Sequence, residues 1–279
     1  MKLARIRTSD GVRPAVIDET GQARDLTGHV ADIGADEISA DGLSALAALD
    51  HGKLPEISGE YAPILNDIRR IFCIGLNYSD HAAESNLPIP EHPILFMKVC
   101  PPSGANDPVT IPKGSEKTDW EVELGVVIGK TAQHVEEAHA LEHVAGYCVV
   151  NDLSERSFQN DWGGQWVKGK SCDTFAPVGP WLVTADEVGD PQNLDMYLNV
   201  NGERRQTGNT ATMIFPVARI VSFLSRFMTL QPGDVITTGT PPGVGMGMNP
   251  PTYLKPGDVV ELGIAGLGDQ RQDVVAYKG

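Results

Sequence analysis

The chain has 279 residues, 41% hydrophobic and 21% charged, an ordinary globular composition that excludes a disordered polypeptide. Thirty-seven acidic residues against 22 basic ones leave a formal charge of −15, a surface that repels nucleic acid and anionic lipid. No run approaches a membrane span, and Met1-Lys-Leu-Ala-Arg-Ile-Arg lacks the apolar core of a signal peptide. Cys73, Cys100, Cys148 and Cys172 form no C-x-x-C pair, so buried thiols in a reducing cytoplasm are expected.

In chain order, residues 1–65 read as a small N-terminal α/β domain. Short strands around Leu3 to Ile6 and Val12 to Ile17 flank the turn Ser9-Asp10-Gly11, and a helix is expected near Asp41 to Leu49. From 66 to 279, short apolar runs broken by Gly and Pro predict strands at 70–74, 94–98, 120–128, 145–152, 180–184, 195–200, 234–238 and 259–264. Helices are expected at 79–84, 135–143 and 214–227. Leu230-Gln-Pro-Gly-Asp and Leu254-Lys-Pro-Gly-Asp are near copies, each a Pro-Gly turn that launches a strand. So many non-local strands favour an α+β, mostly β fold with a mixed sheet over a doubly wound one.

Three acidic residues stand out. Glu121 and Glu123 lie two apart on a predicted strand, so both project from one face, and Asp152 closes the apolar run Tyr147-Cys-Val-Val-Asn. Like charges so placed repel unless a cation lies between them or one carboxylate takes a proton. An oxygen-only set favours a hard cation, Mg²⁺, Mn²⁺ or Ca²⁺, over zinc or copper. Taken alone, Glu-x-Glu is more often a solvated strand face; the surrounding residues reverse that preference.

His81 and Glu84, three apart on a short predicted helix, can touch, and a carboxylate beside an imidazole orients it as a general base. If the chain after Asp152 turns helical, Arg156 lies one turn on, able to grip a substrate carboxylate. Lys170, expected in a loop, could stabilise an oxyanion. Thr240 is expected at a strand end beside a glycine-rich backbone. Two matches are set aside. His139-Ala-Leu-Glu-His143 fits an inverted zinc-peptidase pattern, but both histidines fall off the apolar stripe Val135, Ala138, Leu141, Ala145. Gly243-Val-Gly-Met-Gly lacks a P-loop lysine and reads as a flexible turn.

In order, these pieces resemble the fumarylacetoacetate hydrolase family. The matching motifs are Gly75-x-Asn-Tyr-x-x-His81-x-x-Glu84, Asp119-x-Glu121-x-Glu123, Asn151-Asp-x-Ser-x-Arg156, Gly169-Lys-Ser-Cys-Asp-Thr-Phe, Thr238-Gly-Thr-Pro-x-Gly-Val-Gly and Ile264-x-Gly-Leu-Gly. The resemblance implies a mixed-sheet β-roll with a small N-terminal domain, usually a homodimer. It implies Mg²⁺ or Mn²⁺ on Glu121, Glu123 and Asp152, and a water-activating dyad of His81 and Glu84 under a lid around His81 to Pro93. Lys170 would be the oxyanion-side lysine, and Tyr78, Arg156, Gln159 and Thr240 would contact substrate. The founding eukaryotic members carry a further Asp ligand where this chain has Ile74-Gly75, so three protein ligands are expected. The implied reaction is hydrolysis of the C–C bond of a small anionic 2,4-dioxo acid to pyruvate and a carboxylic acid. The stretch Gly163 to Trp181 looks most similar to bacterial members acting on 2,4-diketo-3-deoxy sugar acids (L-rhamnonate or L-fuconate type), which give lactate. A lyase of the same family, an oxaloacetate decarboxylase or ureidoglycolate lyase, is the alternative.

Overall fold

The computed structural model of the protein describes residues 1–84 and 87–279. Its backbone is organised by one ten-stranded sheet. From one edge the strands run Ala23–Asp25, Gly11–Ile17, Lys2–Thr8, Val178–Thr184, Val144–Asn151, Val122–Ile128, Val235–Thr237, Ile71–Gly75 and Ile94–Lys98; Glu60–Tyr61 also pairs with Lys2–Thr8. Every pairing is antiparallel except that of Val235–Thr237 with Ile71–Gly75, so the sheet is mixed, as expected. A five-stranded sheet, in the order Glu203–Asn209, Asp195–Val200, Val259–Ile264, Gly268–Val275, Val109–Thr110, packs against it. Among the described residues no helix is long and apolar enough to cross a membrane.

The two central strands explain why the core lies where it does. Val122–Ile128 and Val144–Asn151 are buried along their whole length, as the near-continuous apolar runs Val-Glu-Leu-Gly-Val-Val-Ile and Val-Ala-Gly-Tyr-Cys-Val-Val require of strands covered on both faces. Both Pro-Gly repeats behave as predicted: Gly233 and Gly257 take φ of 89° and 96°, and the following Asp234 and Asp258 accept the backbone N–H of Gln231 and Lys255. Residues 1–65 are stitched to the rest, because Lys2–Thr8 pairs with Val178–Thr184 and Leu3 joins the main hydrophobic core.

Two local expectations fail. Glu137–His143 is a 3₁₀ helix, whose tighter turn buries Ala140 and leaves Ala138 and Leu141 of the predicted stripe exposed. His139 still faces water, paired with Glu142 at 2.8 Å. The chain after Asp152 is not helical either: Ser154–Glu155 pairs with Thr118–Asp119, and the helix begins only at Arg156. Cys73, Cys100 and Cys148 are buried thiols, with Cys172 partly covered.

Candidate active site

Strand register assembles the acidic trio. Val122 stands opposite Asn151, and the Asp152 N–H donates to the Glu121 carbonyl at 2.9 Å, so Asp152 lies across from Glu121. Glu123, two residues on, projects from the same face. Oxygens of the three carboxylates lie within 4.8 Å of one another, and all three residues are buried.

Cations surround only part of this cluster. Lys170 Nζ donates to Glu121 Oε2 at 2.8 Å and to Asp152 Oδ2 at 2.7 Å, and Arg156 reaches Glu121 Oε1 at 2.6 Å. Lys98, also buried, pairs with Asp152 Oδ1 and donates to the Leu153 carbonyl at 2.9 Å. Burial opposes ionisation of Glu121, but Lys170 and Arg156 outweigh it and hold its carboxyl well below the usual range. Glu123 goes the other way: burial, then Asp152 and Glu121, push it well above that range, against the weaker pull of Lys170 and one N–H from Gly239 at 2.8 Å. Burial lowers the Lys170 ammonium, yet Asp152 and Glu121 raise it overall, so it stays charged. A crowded all-carboxylate cluster with one under-compensated member fits a hard divalent cation such as Mg²⁺ or Mn²⁺, which Glu121, Glu123 and Asp152 would hold.

Glu121 and Glu123 form the floor of a cavity of about 440 Å³, which His81, Arg156, Gln159, Lys170 and Thr240 also line; Asp152 does not line it but is bonded to Lys170, which does. Ser79–Glu84 is the predicted short helix, and His81 Nδ1 lies 3.2 Å from Glu84 Oε2. A carboxylate only accepts, so it selects the tautomer with hydrogen on Nδ1 and leaves the Nε2 lone pair free. Glu84 is itself fixed by the Gly243 N–H at 3.2 Å. The glycine-rich loop is therefore anchored rather than flexible, the more so because Asp119 accepts from Gly245 N at 2.6 Å and Met246 N at 3.0 Å. Asp119 also takes Arg156 Nε at 2.8 Å, and Gln159 Oε1 accepts from Arg156 Nη1 at 3.0 Å. Thr240 Oγ1 donates to the Val122 carbonyl at 3.0 Å and accepts from Gln206 Nε2 at 2.8 Å.

Two placements differ from expectation. Tyr78 is fully buried with its hydroxyl 3.2 Å from Met196 Sδ and does not line the cavity, because its side chain turns into the core as the strand gives way to the helix. Lys170 ends a short helix, Val167–Lys170, instead of lying in a loop. Of the lid expected over 81–93, residues 85 and 86 lie outside the described residues. Sequence reasoning passed over Lys98. A lysine ending the apolar strand Ile94-Leu-Phe-Met reads as a solvated terminus, and no local pattern places it against a carboxylate 54 positions away. Gln206 was missed for a similar reason, lying in a strand of largely polar residues.

Residues 70–275 match the family model described as fumarylacetoacetate (FAA) hydrolase, C-terminal. A protein of Burkholderia ambifaria named only as a hydrolase is 56% identical, with 98% of each chain covered. Among solved structures, maleylpyruvate hydrolase from Sphingobium sp. SYK-6, in complex with manganese(II) and pyruvate, superposes with a TM-score of 0.82 at 30% identity, all of both chains covered. A Mycobacterium abscessus protein carrying the name 2-hydroxyhepta-2,4-diene-1,7-dioate isomerase does so with a TM-score of 0.85 at 34% identity, again over both full chains.

Proposed function

Because the chain belongs to the fumarylacetoacetate hydrolase family, we propose that it is a divalent-metal-dependent hydrolase that cleaves a C–C bond in an acylpyruvate. The observation that carries this reading is the meeting in one cavity of Glu121, Glu123, charged Lys170 and His81, with Asp152 completing the carboxylate trio and Glu84 backing the imidazole. Glu121, Glu123 and Asp152 would hold a cation whose Lewis acidity would polarise the 2-oxo group. The remaining work falls to side chains. Arg156 and Gln159 orient the 1-carboxylate. His81, steadied by Glu84, takes a proton from water at Nε2 as that water adds to the distal carbonyl carbon. The bond between the 3- and 4-carbons then breaks, its electron pair passing to the pyruvate half. That half is reprotonated, and the acyl half leaves as a carboxylate. Lys170 stabilises the negative oxygen that develops.

The isomerase name of one neighbour supports a second reading, in which a lyase such as an oxaloacetate decarboxylase or ureidoglycolate lyase would use the same floor. Water activation by the dyad is what hydrolysis needs and decarboxylation does not. The polyhydroxylated acyl half of a diketo-deoxy sugar acid, implied by the stretch Gly163 to Trp181, fits less well, because the outer cavity wall is apolar. We place the enzyme in the cytoplasm as a homodimer, with free thiols in keeping with a reducing compartment. The test is pyruvate release, coupled to lactate dehydrogenase, from acylpyruvates and from oxaloacetate with Mn²⁺ and with chelator. Chelator-sensitive release from acylpyruvates is expected; release from oxaloacetate alone would contradict hydrolysis.

A further inference from the structure

We propose that the substrate's acyl half is an apolar chain or aryl group, held by a wall that Phe96, Trp166 and Ile94 build above the carboxylate floor. The proposal rests on the acylpyruvate reading for the direction in which the acyl half points. The strand Ile94–Lys98 serves as a ruler. Alternate residues share a face and step outward by roughly 6.6 Å per pair, so Lys98, Phe96 and Ile94 mark successive heights. Lys98 is bonded to Asp152 at the floor, the Phe96 ring centre lies 5.1 Å from Lys170 Nζ, and Ile94 lines the cavity farther out.

The adjoining strand completes the wall by leaving a side chain out. Gly75 stands opposite Ile94, and a Cβ there would come within 2.5 Å of the Trp166 ring, so the indole occupies the space a side chain would have filled. Trp166 meets Phe96 edge to face, with centroids 5.2 Å apart. Leu87, Pro88 and Pro90 add further apolar surface to the lining.

Charge argues the same way. Among the described residues the basic groups in the lining are His81, Arg156 and Lys170, and each is already engaged by a carboxylate at the floor or in the dyad. None is left for a second carboxylate at the far end of the substrate, which would lie unpaired in apolar surroundings. Hydroxyls fare little better: Gln159 gives its Oε1 to Arg156 and its remaining amide to the 1-carboxylate, and Thr240 Oγ1 is held by the Val122 carbonyl and Gln206, which leaves Asn160 alone at the rim. Each methylene buried against such a wall is worth roughly fourfold in binding.

The experiment compares kcat/KM with Mn²⁺ for three 2,4-dioxo acids of equal chain length: one with an alkyl end, one with a terminal carboxylate, one polyhydroxylated. The alkyl acid is expected to lead by at least roughly tenfold; equal or better turnover of either polar acid overturns the proposal. Titration calorimetry of the Mn²⁺-loaded protein with an alkyl 2-oxo acid and its terminal dicarboxylate separates the two readings. If no dioxo acid is cleaved, the hydrolase reading fails. Tighter binding of the alkyl acid would still uphold the apolar wall, and equal or weaker binding would overturn it. Ile94→Arg, which puts a cation into the wall, should move the preference toward the dicarboxylate by roughly tenfold; an unmoved ratio in the folded variant places the acyl group elsewhere.

Discussion

Glu123 and Lys98 define the electrostatics at the floor from opposite sides. Among the described residues no lysine or arginine pairs with Glu123, and burial with two carboxylate neighbours raises its pKa. A carboxyl whose folded value is raised contributes its stability fully below the unfolded value and loses it as pH rises through the folded one. Protein stripped of metal should therefore lose stability as pH climbs from the usual carboxylate range to an alkaline upper pH, and Glu123→Gln should flatten that loss in urea denaturation. A variant less stable than the wild type at the upper pH would contradict this. Lys98 holds Asp152 from the side opposite Lys170. Lys98→Met should destabilise the metal-free protein by roughly 3 kcal/mol, because it strips a partner from a buried carboxylate. Added Mn²⁺ should raise the melting temperature of the variant more than that of the wild type, and an equal shift would argue against the shared role. Glu121, Glu123 and Asp152 were legible because their chemistry shows in residue type and in spacing of two. Lys98 was not, because its meaning lies in a partner that only the sheet order supplies.

At the scale of elements, strands with apolar runs declared themselves, and Ile94–Lys98, Asp195–Val200 and Val259–Ile264 fall at their predicted limits. Glu203–Asn209 and Gly268–Val275 did not, because their inward positions are glutamines. Gln206, Gln270 and Gln272 are buried, and their amides are satisfied: Gln270 Nε2 by the Val149 and Gly179 carbonyls, Gln272 Nε2 by Ala105, and Gln272 Oε1 by Asn151. Alternation survives in Gly268–Val275, but with glutamines facing in, which inverts the usual pattern, while in Glu203–Asn209 Gln206 alone is buried. Gln206 joins this device to the site, accepting the Val122 N–H at 3.0 Å while donating to Thr240 and the Pro241 carbonyl. Gln206→Leu would leave that buried N–H without its acceptor, at a cost of about 1–3 kcal/mol. Denaturation melts should show the loss, and KM should rise more than kcat falls as Thr240 is released. Unchanged stability would mean the amide is replaceable.

For the whole molecule, composition announced a large globular unit and the ordered motifs announced its family, but neither showed how residues 1–65 attach. Lys2–Thr8 lies inside the ten-stranded sheet, Leu3 belongs to the main core, and Arg5 pairs with Asp32 while donating to the Pro63 and Leu65 carbonyls. A chain beginning at residue 66 would expose the Val178–Thr184 edge and part of that core, so it should aggregate or melt without cooperativity. A cooperative, soluble fragment would instead mark the N-terminal segment as dispensable. At the base of the site Glu121, Glu123 and Asp152 would together hold one divalent cation, and the proposed chemistry depends on it. Diffraction from Mn²⁺-soaked crystals, recorded near the manganese absorption edge, tests it directly. One anomalous peak per chain, within about 2.3 Å of an oxygen from each of the three carboxylates, is the predicted result. A map with no peak there, or with the ion bound elsewhere, would contradict the account.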